Sequence, residues 1–114
     1  MSDETKILHV FAHLCRVLKR TDAEVSFSRA GVIATKGQAH LALRFPLFGG
    51  EKLLLIIHDR NSETEFYCRL RDACTVHPDR LELYCEEGNV FIKTRGKKVE
   101  VVIAGDNFRH EIEI

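Results

Sequence analysis

The polar side chains that most suggest a function lie near the start of the chain. They follow one another at steps of three or four residues and are Lys6, His9, His13, Arg16 and Arg20. In an α-helix such positions share one face, and no acidic residue interrupts the series. We call these five residues the basic stripe. An acid-free basic face suits contact with the phosphate backbone of DNA or RNA, which reads no base sequence.

Two other interpretations of the basic stripe remain open. It can be a solvated helix surface, on which Arg16 and Arg20 also interact favourably with the negative end of the helix dipole. It can also face a protein partner. The helix itself is predicted by apolar residues with a three-four repeat, and these are Ile7, Val10, Phe11, Leu14, Val17 and Leu18. Asp3 or Thr5 can cap its start, and Thr21 and Asp22 follow its end.

A second group of residues carries thiols and imidazoles. Its members fall within residues 58–85 and are His58, Cys68, Cys74, His77 and Cys85. Zinc accepts such ligands, but the spacing fits no standard zinc motif, and Cys15 and Cys85 suit positions in the core. Nothing in the sequence orients His77 as a base for a cysteine nucleophile. Without a CxxC motif or a secretory signal, we expect reduced thiols and no bound metal.

Four carboxylates suggest an alternative, a small metal-dependent nuclease. They lie in or near a polar loop and are Asp59, Glu63, Glu65 and Asp72. A polar loop is more often acidic for solubility, and no glycine-rich phosphate loop is present. We therefore predict a protein that is not an enzyme and holds no cofactor.

Helices and strands must position these polar residues. After the first helix the apolar residues recur at every second position, which is typical of β-strands. Three short antiparallel strands are predicted over 24–45, and a central strand buried on both faces over 52–58. Residues 64–77 are predicted as a second helix, with a strand as the alternative. A meander of strands fills the rest. The predicted fold is α+β, with two helices packed on one face of an antiparallel sheet and an approximate repeat of a helix–three-strand unit.

Two segments are candidate partner surfaces. In "FPLFGG" (45–50) the apolar side chains of Phe45, Leu47 and Phe48 flank a proline and precede two glycines. They mark a partner surface if they are exposed, and otherwise pack into the core edge. The last strand, "FRHEIEI" (108–114), can add to the sheet of a second copy at an exposed edge.

Two stretches carry a family resemblance. Residues 11–47, "FAHLCRVLKRTDAEVSFSRAGVIATKGQAHLALRFPL", join a helix to an alternating strand, a strand opened by glycine and the strand "QAHLALRF". Residues 79–105, "DRLELYCEEGNVFIKTRGKKVEVVIAG", read as a three-strand meander. Together they resemble one domain of a DNA sliding clamp, the family of proliferating-cell nuclear antigen and the checkpoint clamps. The strand that precedes the helix in that family is missing here, and Arg29-Ala30 replaces its acidic turn residue.

The resemblance implies a duplicated fold, no catalytic activity and a helix whose basic residues face the DNA backbone. Lys6, Arg16 and Arg20, with His9 and His13, are the matching positions. Because a ring needs several such domains, the resemblance also implies association with further copies.

Composition sets the remaining limits. The chain has 114 residues with 17 basic and 17 acidic side chains, so any polyanion binding must come from a local patch. This length suits one domain, and we expect disorder only in residues 1–4. No signal peptide or membrane span is apparent, which predicts an intracellular protein, cytoplasmic or nuclear, without a membrane partner. The predicted function is an interaction module that contacts nucleic acid through its first helix and self-associates through sheet edges. An adaptor that binds only protein is the alternative.

Overall fold

The computed structural model describes residues 3–46 and 50–114. These residues form one helix and ten strands, with the following bounds: α1 Asp3–Leu18, β1 Glu24–Ser28, β2 Gly31–Lys36, β3 Ala39–Arg44, β4 Leu53–Asp59, β5 Ser62–Cys68, β6 Leu70–Cys74, β7 Arg80–Cys85, β8 Asn89–Arg95, β9 Lys98–Ala104 and β10 Arg109–Glu113. Strands β1 to β5 form sheet A and strands β6 to β10 form sheet B, each with neighbouring strands paired in chain order. The α+β class and the antiparallel pairing are confirmed.

Helix α1 forms where the three-four apolar repeat predicted it. Its side chains Phe11, Leu14 and Leu18 are fully buried. The helix ends where Thr21 donates its hydroxyl to the Leu18 carbonyl at 2.7 Å and accepts the Ala23 amide at 3.2 Å. Helix α1 begins at Asp3 and includes Glu4.

The predicted second helix over 64–77 is wrong. Residues of β5 pair with β4, and residues of β6 pair with β7, so this segment is extended throughout both strands. Its weak helical periodicity is overridden because Phe66 and Cys68, alternating with Glu65 and Tyr67, meet the inward-facing residues of β4. With a single helix among the described residues, the predicted helix–three-strand repeat is not formed.

One residue carries the chain from sheet A to sheet B. The amide of Arg69 donates to the Glu87 carboxylate at 2.8 Å, and its carbonyl accepts the Glu86 amide at 3.0 Å. Partial burial opposes the charge of Glu87, yet this amide and the Lys52 ammonium, 3.0 Å away, hold the pKa of the Glu87 carboxyl below its ordinary value. The ionised carboxylate therefore fixes the break between β5 and β6.

A single core joins the helix to both sheets. Helix α1 contacts β1 and β2 of sheet A and β7 and β8 of sheet B. The inward side chains of both sheets belong to the same buried cluster as the apolar side of α1. The Phe66 ring of sheet A and the Phe108 ring, which precedes β10 of sheet B, lie 6.5 Å apart. The helix therefore packs between two sheets, whereas the predicted fold had helices on one face of a single sheet.

A disulfide also links the sheets, between Cys68 at the end of β5 and Cys85 at the end of β7. The expectation of reduced thiols is therefore wrong for these two residues. Cys68 and Cys85 are each the last, buried residue of their strand. The crossing of the chain between the sheets at Arg69 brings these two strand ends together. Cys15 is free and buried, as expected for a core residue, and Cys74 is free and half-buried.

We expect the disulfide to be measurable by thiol titration and by unfolding. In denaturant without reductant, two thiols should react, those of Cys15 and Cys74. Because the bridge spans 17 residues, its reduction should lower the free energy of unfolding by about 3 kcal/mol. The Cys74→Ser variant is the control and should keep the full response to reductant. Four reactive thiols in the non-reduced protein would contradict the assignment.

Candidate interaction surfaces

The first half of the basic stripe attaches α1 to sheet B. The ammonium of Lys6 donates to the Arg71 carbonyl at 3.2 Å and lies 3.6 Å from the Asp72 carboxylate. His9 Nε2 lies 3.1 Å from the Thr75 hydroxyl. These two side chains therefore make contacts to strand β6 and the connection that follows it.

His13 is the buried member of the basic stripe, with 4% of its surface exposed. Its Nε2 lies 2.9 Å from the carbonyl oxygen of Arg80, the first residue of β7. Because a carbonyl only accepts, Nε2 must carry the proton. His13 therefore holds the helix against sheet B and has no exposed surface to offer a phosphate.

The second half of the stripe is open to solvent. Arg16 and Arg20 are exposed, together with Lys19 between them. In the described part of the chain none of these three side chains makes a hydrogen bond or an ion pair. We call Arg16, Lys19 and Arg20 the helix-end cations. They lie in and just beyond the last turns of α1, where cations interact favourably with the helix dipole.

The residues considered for metal or nuclease chemistry do not come together. Cys68 and Cys85 are bonded to each other, and Asp72 lies in sheet B beside Lys6, apart from the carboxylates of sheet A. Over residues 3–46 and 50–114, no three side chains of His, Cys, Asp or Glu are grouped closely enough to hold a metal ion.

The predicted partner segment 45–50 is described only at its ends. Phe45 is half-buried and meets the Phe11 ring edge-on, with ring centres 5.5 Å apart, so it packs at the core edge. Leu47 and Phe48 lie outside the described residues. Beside Phe45 and Ile7 is a cleft of about 620 Å³ that Arg69 also lines. Arg69 is engaged there by Glu51 and Glu86, and its bond to Glu51 raises the pKa of the guanidinium further.

The outer face of sheet A carries a continuous apolar patch. The strand register places Ile33, Ala42 and Ile56 side by side on β2, β3 and β4, and Leu54 beside Tyr67 on β4 and β5. Ile33 and Tyr67 are each 47% exposed, and the other three are half-buried. We call these five residues the outer patch. Sequence reasoning missed it because the run "LLLII" predicted a strand covered on both faces, whereas β4 is fully buried only on its inner side.

The outer face of sheet B has the opposite character. Arg80 pairs with Glu82 at 2.9 Å, Arg95 with Glu100 at 2.8 Å, and Arg109 with Glu111 at 2.9 Å. The Tyr84 hydroxyl donates to Glu82 at 2.5 Å, and this bond, with Arg80, keeps the pKa of the Glu82 carboxyl below its ordinary value. The edge strand β10 takes part, since Glu113 lies 3.3 Å from Lys98. The charges of this face are thus largely satisfied within the chain.

The charged groups around the outer patch are not satisfied in this way. Glu24, Glu63 and Glu65 share the outer face of sheet A, and Glu65 is directly opposite Ile56. None of the three makes an ion pair with a described residue. Arg44 is the one Lys or Arg in the paired rows of that face, and its Nε donates to the Phe45 carbonyl at 3.1 Å. The border of the patch therefore carries three carboxylates without ion-pair partners among the described residues and one cation, Arg44, opposite Leu54.

Comparisons with family models, curated proteins and solved structures return no match to this chain. The sliding-clamp resemblance accordingly stays a prediction. In the described part of the chain, no helix combines the length and the apolar character needed to span a bilayer.

The attachment of α1 by His13 can be tested by substitution. We expect His13→Leu to lower the free energy of unfolding by about 1–3 kcal/mol, because the buried Arg80 carbonyl loses its donor. His13→Gln, which keeps a side-chain donor, should lose less. The matched control Arg16→Leu changes an exposed cation on the same face and should stay within about 0.5 kcal/mol. Equal effects at both positions, measured by urea unfolding, would contradict the assigned role.

Proposed function

We propose that this chain is a non-catalytic interaction module that binds another protein through the outer patch of sheet A. The observation that carries the proposal is the contrast between the two outer faces. On the outer face of sheet B the apolar side chains Phe91 and Val102 are half-buried and lie among ion pairs. On sheet A the Ile33 and Tyr67 side chains of the outer patch are 47% exposed, and a contiguous exposed apolar patch commonly marks a binding surface.

The sequence of β4 supports the same function. Its continuous apolar run is typical of a strand with two covered faces. In the isolated chain only Leu53, Leu55 and Ile57 are fully buried, and the alternate residues Leu54 and Ile56 face outward. A bound partner would complete the second layer over these two side chains.

Site-specific photo-crosslinking in the native cells tests this proposal. A benzophenone amino acid placed at Ile33 or Tyr67 should form adducts with another protein, identified by mass spectrometry. Two control positions should give none: Val76, which is 77% exposed and apolar but remote from the patch, and Glu111 on sheet B. The further substitution Ile56→Thr, which keeps the branched side chain of a strand residue, should abolish the adducts at Tyr67.

Two results would overturn the protein-binding proposal. One is the absence of adducts at both patch positions. The other is an equal yield at Val76, which would mean that exposure alone accounts for the reaction. Circular dichroism and the unfolding midpoint confirm that each variant is folded, so that a lost adduct reports a lost surface.

The helix-end cations favour a second candidate function, non-specific contact with nucleic acid. Because Lys6, His9 and His13 are engaged with sheet B, this contact would involve Arg16, Lys19 and Arg20 rather than the whole basic stripe. Three firm positive charges that make no ion pair with a described residue suit weak, salt-sensitive binding to phosphates.

Fluorescence anisotropy with a labelled DNA duplex tests this second function. Wild-type binding should weaken steeply with salt, and the Arg16→Ala/Arg20→Ala variant should reduce the slope of log K against log salt by about 2. The control Lys93→Ala/Lys98→Ala removes the same charge from sheet B and should leave the slope nearly unchanged. Equal binding by wild type and the helix variant at low salt would exclude the helix-end cations.

A further inference from the structure

The shape of the outer patch narrows the kind of partner it fits. Ala42 has the shortest side chain in its row and lies between Ile33 on β2 and Ile56 on β4. These flanking residues are two strand spacings apart, about 10 Å between backbones, and their own side chains occupy part of that width. The three residues therefore form a shallow apolar depression, bounded along β3 by His40 and Arg44, against which the apolar stripe of a helix can pack.

The charged side chains on the two strands outside Ile33 and Ile56 are acidic. Glu24 lies on β1 opposite Thr35, one row away from Ile33, whereas on β5 Glu65 lies opposite Ile56 and Glu63 opposite His58. A helix seated over Ala42 would thus have carboxylates along both of its flanks. These carboxylates make no ion pair with a described residue, so a bound protein can supply the cations that pair with them.

We propose that the outer patch binds a basic amphipathic helix of a partner protein, whose apolar stripe contacts Ile33, Ala42 and Ile56 and whose flanking Lys or Arg residues pair with Glu24, Glu63 and Glu65. This inference rests on the proposed protein-binding function and names the chemistry of the partner. Burial of the apolar stripe supplies most of the binding free energy, and the charges set the orientation and the choice of partner.

A second copy of the chain fits the outer patch less well. Face-to-face packing of two A sheets would bring two sets of Glu63 and Glu65 into one interface. Among the paired strand residues on the outer face of sheet A, each copy has one Lys or Arg that could balance these carboxylates. That residue is Arg44, which already donates to the Phe45 carbonyl. Unpaired like charges oppose such an interface. The charge distribution therefore favours a basic partner over self-association.

Anisotropy with designed peptides tests the inference. The probes are a fluorescein-labelled amphipathic helix of Leu and Lys and a matched peptide with Glu in place of every Lys. Wild-type protein should bind the Lys peptide about tenfold more tightly than the Glu peptide at low salt, and added salt should shrink this preference. Ala42→Leu, which fills the depression, should weaken binding of the Lys peptide.

Charge reversal separates a local effect from net charge. Glu63→Lys/Glu65→Lys should remove or invert the peptide preference. The control Asp106→Lys/Glu111→Lys makes the same change in net charge at exposed positions in the β9–β10 turn and on β10, and should keep the preference. An equal loss in both double variants, or no preference in wild type, would overturn the inference.

Two further outcomes distinguish this inference from the function on which it rests. Crosslinks at Ile33 and Tyr67 together with no preference for the Lys peptide would overturn the partner chemistry and leave the protein-binding function standing. Absence of both would overturn both. Sedimentation equilibrium should show a monomer. A dimer that Ile56→Thr dissociates would make a second copy the occupant and overturn the inference.

Discussion

Enclosure of one helix by two sheets is the constraint on which the structure depends. Each sheet turns a fully buried apolar face inward, and Phe11, Leu14 and Leu18 of α1 present apolar surface toward both. The sheets meet directly at the Arg69 break, at the Phe66–Phe108 contact and where the Lys36 ammonium donates to the Lys97 carbonyl, and α1 supplies the apolar surface between them. The helix must therefore be held at a fixed position and rotation, which requires polar contacts as well as apolar packing.

The basic stripe is best understood from this constraint. A helix enclosed on its apolar side still has polar flanks, and those that meet a sheet need partners. Lys6, His9 and His13 find theirs on β6, the connection that follows it and the first residue of β7. The first three residues of the basic stripe thus serve contacts to carbonyl and hydroxyl oxygens of sheet B and the connection between β6 and β7. Arg16 and Arg20 extend past the end of that contact and stay in solvent.

The sequence predicted the parts of the fold that depend on local periodicity. The first helix, the strands before Phe45 and the meander after Asp79 all formed, because their repeats agree with the faces they bury. The second helix failed because residues 64–77 belong to strands whose partners lie on both sides in sequence. The Cys68–Cys85 bridge depends on the same tertiary arrangement around Arg69. The outer patch could not be predicted for a related reason. The continuous apolar sequence of β4 is typical of a strand that is buried on both faces, and no local feature tells whether its outer face packs against the same chain or against another molecule.

The difference between the two outer faces then becomes the informative feature. Both sheets have the same size, the same connectivity and the same kind of inner face, so packing of the core does not require their outer faces to differ. Ion pairs on sheet B contribute little stability when exposed, but they suit a surface that stays in water. Keeping Ile33 and Tyr67 exposed on sheet A brings no gain within the chain and raises the risk of aggregation. The proposed partner would cover this surface, and carboxylates that make no ion pair with a described residue lie beside it, which suits a partner of positive charge.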